Sequence, residues 1–446
     1  MFKVDIRVLM PQRRRARSLI LLLILLCATL APRPGWAADQ DATLLPFFIG
    51  VRVTTETGRF YRRLIDEFEE QHPDIIISLH PCTSYNQVLF DVLHRAKEGQ
   101  PAGVAVVEIS ELLTLQDGGA IIPLRPLIAR GRGSEKQFLG RFVPGFLANS
   151  YGDGGEIYGL PFNRSTPIIY YNLDLLKKAG IPMGKLPTSW DELAALLQFY
   201  RNRTGQPPLG LAGTWFEWIF ESFVYQNGGS LANEDNTRVN FNSPPVVQTL
   251  EFWQQLRQKG LMARVRDWRA TMNSFVQLQR YPVIYYSSAG LPTVQRQARF
   301  NWTATVMPKN TAFGAGVGAT NIFLSSHLSP RQQEAGWKFI NFLLSDDIQA
   351  RIALNSGYFP VVNSAFSDPR VKGLYDSHPA YKNGQRQLGF ARAKIMTRNF
   401  KEVRKILQNA INETLDHDVP AKVSLARAQR QAEQLLQGGT RPGRGQ

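Results

Sequence analysis

Two cysteines in 446 residues, Cys27 and Cys82, leave little scope for covalent bracing. Cys27 lies inside an amino-terminal export signal, so a processed chain keeps Cys82 alone and can close no internal disulfide, even in an oxidising compartment. Stability must come from a hydrophobic core. Histidine is as sparse: six are spread along the chain, with no His-Glu-x-x-His run, no clustered metal ligands and no nucleophile elbow. Isolated carboxylates do not make a paired acid and base. A secreted hydrolase acting on phosphate esters or glycans would lack its machinery, and no catalytic residue, metal or cofactor is expected. Long hydrophobic runs are missing too. The apolar stretch Leu19 to Leu30 has 12 residues, too few to span a bilayer comfortably.

That stretch reads instead as the centre of a signal peptide over residues 1–37. Arg13-Arg14-Arg15-Ala16-Arg17 precede it, and the small residues Gly35 and Ala37 follow, which puts cleavage near Ala37 and the mature protein in the periplasm. Leu26 stands before Cys27 where a lipoprotein signal wants a small residue. The consecutive arginines leave a twin-arginine route open, but they lack its surrounding motif, so the general secretory route fits better.

Of the formal charge of +16, residues 1–37 carry +6 and leave +10. The basic residues are scattered and not gathered in a stripe, so a solvated basic surface is expected, with no nucleic-acid partner. Such a field can still draw an anionic ligand. About 409 mature residues exceed what one core supports, which predicts two lobes. There is no internal repeat. The glycine-rich tail 438–446 is expected to be disordered.

Strand and helix patterns alternate. A strand over Leu44 to Val51 leads to a helix with Phe60, Leu64, Ile65 and Phe68 on one face; a strand at Asp74 to Ser78, a helix at Tyr85 to Lys97 and a strand at Val104 to Ile109 follow. Ser189-Trp-Asp-Glu192 predicts a capping box, Ser243-Pro244 a second helix start, and Ser329-Pro-Arg-Gln332 a third. Turns are expected at 152–155, 205–208 and 227–229.

The segment Tyr158 to Gly180 carries most information. It joins a polar turn to a buried strand at Ile168-Ile169-Tyr170-Tyr171, then a helix at Leu173 to Lys178 stopped by Gly180, with Ser165 and Thr166 where the strand begins. This wording resembles the extracellular solute-binding proteins of bacterial ABC importers, the maltose-binding-like family, and in particular its glycerol-3-phosphate-binding branch. The resemblance covers most of the mature chain. It implies an α/β, two-lobed periplasmic binding protein fold of type II, with discontinuous lobes joined by a hinge: residues 38–152 plus 306–355, and 153–305 plus 356–437. It also implies a monomer that captures a small molecule, delivers it to ABC permease transmembrane subunits, and needs no cofactor.

Seven positions match the branch's ligand residues: Tyr85, Glu108, Ser165, Ser287, Gly318, Tyr358 and Arg404. Arg404 can offer parallel N–H donors to a phosphate. Ser287, with Ser288, stands before a helix start where hydroxyls and backbone N–H groups could hold an anion, and Ser165 would add a hydroxyl. Gly318 would let its backbone approach closely. Glu108, repelled by phosphate, can accept from two glycerol hydroxyls. Tyr85 and Tyr358 can donate hydrogen bonds and cover the ligand, while Trp215 and Trp218 match an aromatic pair near the cleft. Read without the resemblance, each residue type has an ordinary structural role: an arginine in a surface ion pair, serines as caps, glycine in a turn, aromatics in the core. One departure stands out. Where the family often has Trp-His-Ser after its first strand, this chain has Phe48-Ile49-Gly50-Val51, so its first cleft loop differs. The ligand expected is sn-glycerol 3-phosphate, with a glycerophosphodiester such as glycerophosphocholine, or an oligosaccharide, as competitors.

Overall fold

The computed structural model describes residues 42–50, 55–131, 133–182 and 184–438. The signal peptide of residues 1–37, Val51 of the first strand and the tail beyond Gly438 therefore lie outside the described residues. Gly438 itself ends the last helix.

The described residues begin with β1 (Thr43–Ile49), α1 (Glu56–Gln71), β2 (Ile75–Pro81), α2 (Tyr85–Lys97) and β3 (Val104–Glu108). α1 buries the expected face of Phe60, Leu64, Ile65 and Phe68, and Ser84 caps α2 by accepting from the Gln87 N–H. β4 (Gly159–Ser165) and β5 (Pro167–Asn172) follow, with Thr166 between them. Next come α3 (Trp190–Thr204), β6 (Leu209–Ala212), α4 (Phe216–Gln226), α5 (Pro244–Gln258), β7 (Met262–Val265), α6 (Trp268–Val276), β8 (Val283–Ser287) and β9 (Trp302–Thr305). The remainder holds β10 (Ala315–Gly316), β11 (Gly318–Leu324), α7 (Pro330–Leu343), α8 (Asp346–Ser356), α9 (Pro369–Ser377), α10 (Pro379–Gln387), β12 (Ala391–Arg392), α11 (Phe400–His417) and α12 (Ala421–Gly438).

Two five-stranded sheets result, ordered β2-β1-β3-β11-β4 and β7-β6-β8-β5-β9. β1 is parallel to β2 and β3, and β11 runs antiparallel to β3 and β4. In the second sheet β6 is parallel to β7 and β8, while β5 is antiparallel to β8 and β9. The change of sheet therefore falls at Thr166, between β4 and β5, and not near residue 153. One apolar core runs from α1 and α7 against the first sheet through α9 and α10 to Tyr170 and Ile284; a second joins the other side of β5 and β8 to α3, α4, α5, α11 and α12.

The polar stretch expected as a turn before β5 is the strand β4, fully buried. Its polarity misleads because the terminal nitrogens of the Arg164 guanidinium find buried acceptors. The Arg164 guanidinium donates to the backbone oxygens of Asn163, Phe146 and Thr320 and to Asn321 Oδ1. The caps divide similarly. Ser329 and Gln332 form the full reciprocal box at α7. Ser189 Oγ accepts from the Glu192 N–H, but the Glu192 carboxylate turns to Thr188 and Lys185 and does not return to the cap.

Candidate ligand-binding site

Parallel strands of both sheets point their carboxyl ends at one cavity of about 210 Å³. Ligands in open α/β sheets gather outside such strand ends. β3 supplies Glu108 as its last residue, the turn after β2 leads to Tyr85, β6 leads to Trp215 and Trp218, and β8 ends in Ser287. Ser165 closes β4, and Gly318, paired with it, opens β11. Tyr358 follows the left-handed Gly357 that ends α8, where a Cβ would come within 2.5 Å of Pro292. Eight of the nine positions singled out in the sequence thus line one cavity.

Their local bonds give each a defined pose. Tyr85 and Tyr358 join their hydroxyls at 3.0 Å. Burial, then Tyr358, pushes the Tyr85 phenol well above its usual value, so both rings remain neutral donors. The Tyr170 hydroxyl donates to the Ser287 carbonyl oxygen, and Ser287 Oγ accepts from the Ala289 N–H. Ser288 is buried and serves the sheet: it exchanges bonds with the Thr166 backbone. Gly318 is required by packing, because a Cβ there would meet Trp218 Cζ2 at 2.6 Å. Trp218 in turn donates its indole N–H to the Gly316 oxygen at 3.0 Å.

Charge is arranged differently from expectation. Glu108 accepts at one oxygen from Lys394 Nζ, 2.7 Å away, and at the other from the Ser110 N–H. Both side chains of the ion pair are about 5% exposed or less. Asn149 clamps the Lys394 backbone from both sides, and Glu221 accepts from the next N–H, that of Ile395. Arg404 is the position that the structure does not bring to the cavity wall. Its guanidinium stacks on the Trp215 ring at 3.9 Å, behind the cavity, with Glu217 at 3.9 Å. Its Nε and Nη1 are buried without acceptors, as is Glu217 Oε1 without a donor. Two further carboxyls face this group: burial and then Glu108 push Glu111 up to about 7, and burial pushes Glu221 up to about 7 against the pull of Lys394.

Lys394, Trp268 and Ala319 line the cavity and were missed in the sequence. Trp268 stands just after β7 behind its cap Asp267, near a strand end as Trp215 is, but the resemblance did not point to it. Lys394 has no local pattern; only its partner 286 positions earlier reveals it. Ala319 adopts φ of 92°, a conformation no side-chain type announces.

Two α/β sheets whose strand ends enclose an aromatic, hydroxyl-lined and charge-paired cavity define a two-lobed binding protein. The chain belongs to the bacterial extracellular solute-binding protein family, whose sequence profile matches residues 63–383. It is a solute-binding component of a bacterial ABC importer and not an enzyme. Among similar sequences, the sn-glycerol-3-phosphate-binding periplasmic protein UgpB of Escherichia coli K12 is 26% identical over 364 residues, 78% of this chain and 81% of that protein. UgpB of Pectobacterium atrosepticum is 25% identical over 366 residues, 79% of this chain and 81% of that protein. Among solved structures, UgpB from Mycobacterium tuberculosis in complex with glycerophosphocholine superposes with a TM-score of 0.78 at 21% identity, covering 89% of this chain and 99% of that one. Maltose-bound MalE3 of T. maritima gives 0.74 at 19%, covering 88% and 100%. The two-lobed α/β fold is thereby shared. No helix among the described residues is long and apolar enough to cross a membrane.

Proposed function

We propose that this protein captures sn-glycerol 3-phosphate in the periplasm, after cleavage of a signal peptide near Ala37, and presents it as a monomer to its permease. The observation that carries this reading is the convergence of Tyr85, Glu108, Ser165, Ser287, Gly318 and Tyr358 on one cavity, from chain positions far apart. Named relatives that bind this ligand support it. The phosphate goes to Lys394 and the hydroxyls of Ser287 and Tyr358, and the glycerol hydroxyls to Glu108 and Tyr85. Arg404 joins once the Trp215 ring shifts, since a buried guanidinium with two N–H groups unmet gains most from an arriving anion. The lobes are the parts on either side of Thr166 and of the β9–β11 connection, closing about them as hinges.

A glycerophosphodiester is the second reading, favoured by the wall of Trp215, Trp218 and Trp268, which offers ring surface to groups that extend past the phosphate. Mass spectrometry of ligand released from gently purified protein separates monoester, diester and sugar. Titration then checks the charge assignment: Arg404→Ala and Lys394→Ala should each weaken glycerol 3-phosphate by roughly 10- to 100-fold, the span of one charged hydrogen bond. Unchanged affinity in both variants would overturn the phosphate assignment.

A further inference from the structure

We propose that the ligand cleft continues past the Tyr85–Tyr358 pair into a second compartment, which takes the hydroxylated head group of a glycerophosphodiester. The inference rests on the glycerol-phosphate reading above and extends it. A separate cavity of about 290 Å³ lies beyond the tyrosines, and both rings line it as well as the first cavity. The 3.0 Å bond between their hydroxyls is thus a partition between two spaces and not the end of the site.

The chemistry of the far side selects its occupant. Asn163 and Asn355 line it, and the Oδ1 of each is buried without a donor. Asn163 is only 6% exposed, so water outside the cleft does not serve it. Amide oxygens only accept, and they call for O–H or N–H groups from whatever enters. Arg296 supplies a cation, and no carboxylate stands among the described residues that line the space. A trimethylammonium head has no hydrogen to donate and would meet Arg296 as a like charge. A glycerol head offers donors to both asparagines and acceptors to Arg296. The phosphodiester would then stay in the first compartment with its second ester crossing between the tyrosines.

Calorimetric titration of the processed protein with glycerol 3-phosphate, glycerophosphocholine and glycerophosphoglycerol tests this. Glycerophosphoglycerol should bind about 10-fold or more tighter than the choline diester, as two hydrogen bonds permit. Thr293→Trp, which fills the space, and Asn355→Leu, which removes one acceptor, should each erase that ratio; thermal melting checks that both variants fold. A ratio unaltered in folded variants, or a wild-type preference for the choline diester, overturns the second compartment alone. Failure of all three ligands to bind overturns the glycerol-phosphate reading together with it.

Discussion

Replacing Lys394 by methionine isolates the buried charge at the centre of the site. Lys394 Nζ lies 2.7 Å from Glu108 Oε1, which at an effective dielectric near 20 is a gross attraction of about 6 kcal/mol. Most of that offsets the desolvation of two side chains exposed by 5% or less, so the pair adds little net stability. Removing one partner is another matter, because the other is left charged in a poor solvent, at a typical cost of about 3–5 kcal/mol. Two features pull the value to the low end. Glu108 keeps the Ser110 N–H at 2.9 Å, and the buried Arg164 guanidinium lies close enough for the two charges to interact. Lys394→Met should therefore destabilise by about 3 kcal/mol, read as a melting temperature lower by roughly 6 °C. Adding Glu108→Gln removes the stranded charge and should recover about 2 kcal/mol, whereas affinity for an anionic ligand stays lost in both variants. A single variant that melts with the wild type, or a double variant less stable than the single, would refute this account of the pair.

Gly318→Ala places a methyl 2.6 Å from Trp218 Cζ2, which must push the indole into the cavity and strain its bond to Gly316. Urea denaturation should show a loss of about 1–3 kcal/mol, with weaker ligand binding in parallel; no change in either would count against the packing role given to this glycine. For pH, Glu111 and Glu221 have their pKa raised from 4.5 to about 7 by burial, so the native chain holds more protons than the unfolded one between those values. Their contribution to stability is full below pH 4.5 and is lost as pH rises through 7. Glu221→Gln should flatten that fall in a pH series of denaturant midpoints, and an unaltered slope would contradict the assignment.

Much of the fold was legible because periodicity and punctuation agree with packing. Phe60, Leu64, Ile65 and Phe68 face the core as their spacing predicts, and the range Tyr85 to Lys97 is helical from end to end. β4 was not legible. Asn163 and Arg164 fall in the stretch expected as a polar turn, but four acceptors from three separate stretches of chain meet the guanidinium, and no local pattern encodes such partners. The same asymmetry holds in the site. Tyr85, Glu108 and Ser287 were legible through the family resemblance, each type alone having an ordinary structural role, whereas the charge balance was not. Arg404 was expected to meet the phosphate and lies behind Trp215; Lys394, in an irregular stretch with no motif, is the cation on the wall.

The backbone around Trp215 suggests why Arg404 waits there. Trp215, Ala319 and Asn399 all hold positive φ, at 55°, 92° and 51°, and none is glycine. Two line the cavity, and the third opens α11, the helix that carries Arg404. Such conformations cost of order 1–3 kcal/mol each and persist only where neighbours over-determine them. Here the neighbours are the stacked ring and the guanidinium, the latter left with unmet N–H groups. An anion that drew Arg404 forward would satisfy those groups and let Trp215 relax, so part of the binding energy would arise from ending a frustration already present. That would couple the two lobes, because α11, which carries Arg404, and α4, which Trp215 caps, pack in the second core, whereas Ala319 stands on β11 of the first sheet, and a ligand in the cavity would touch both.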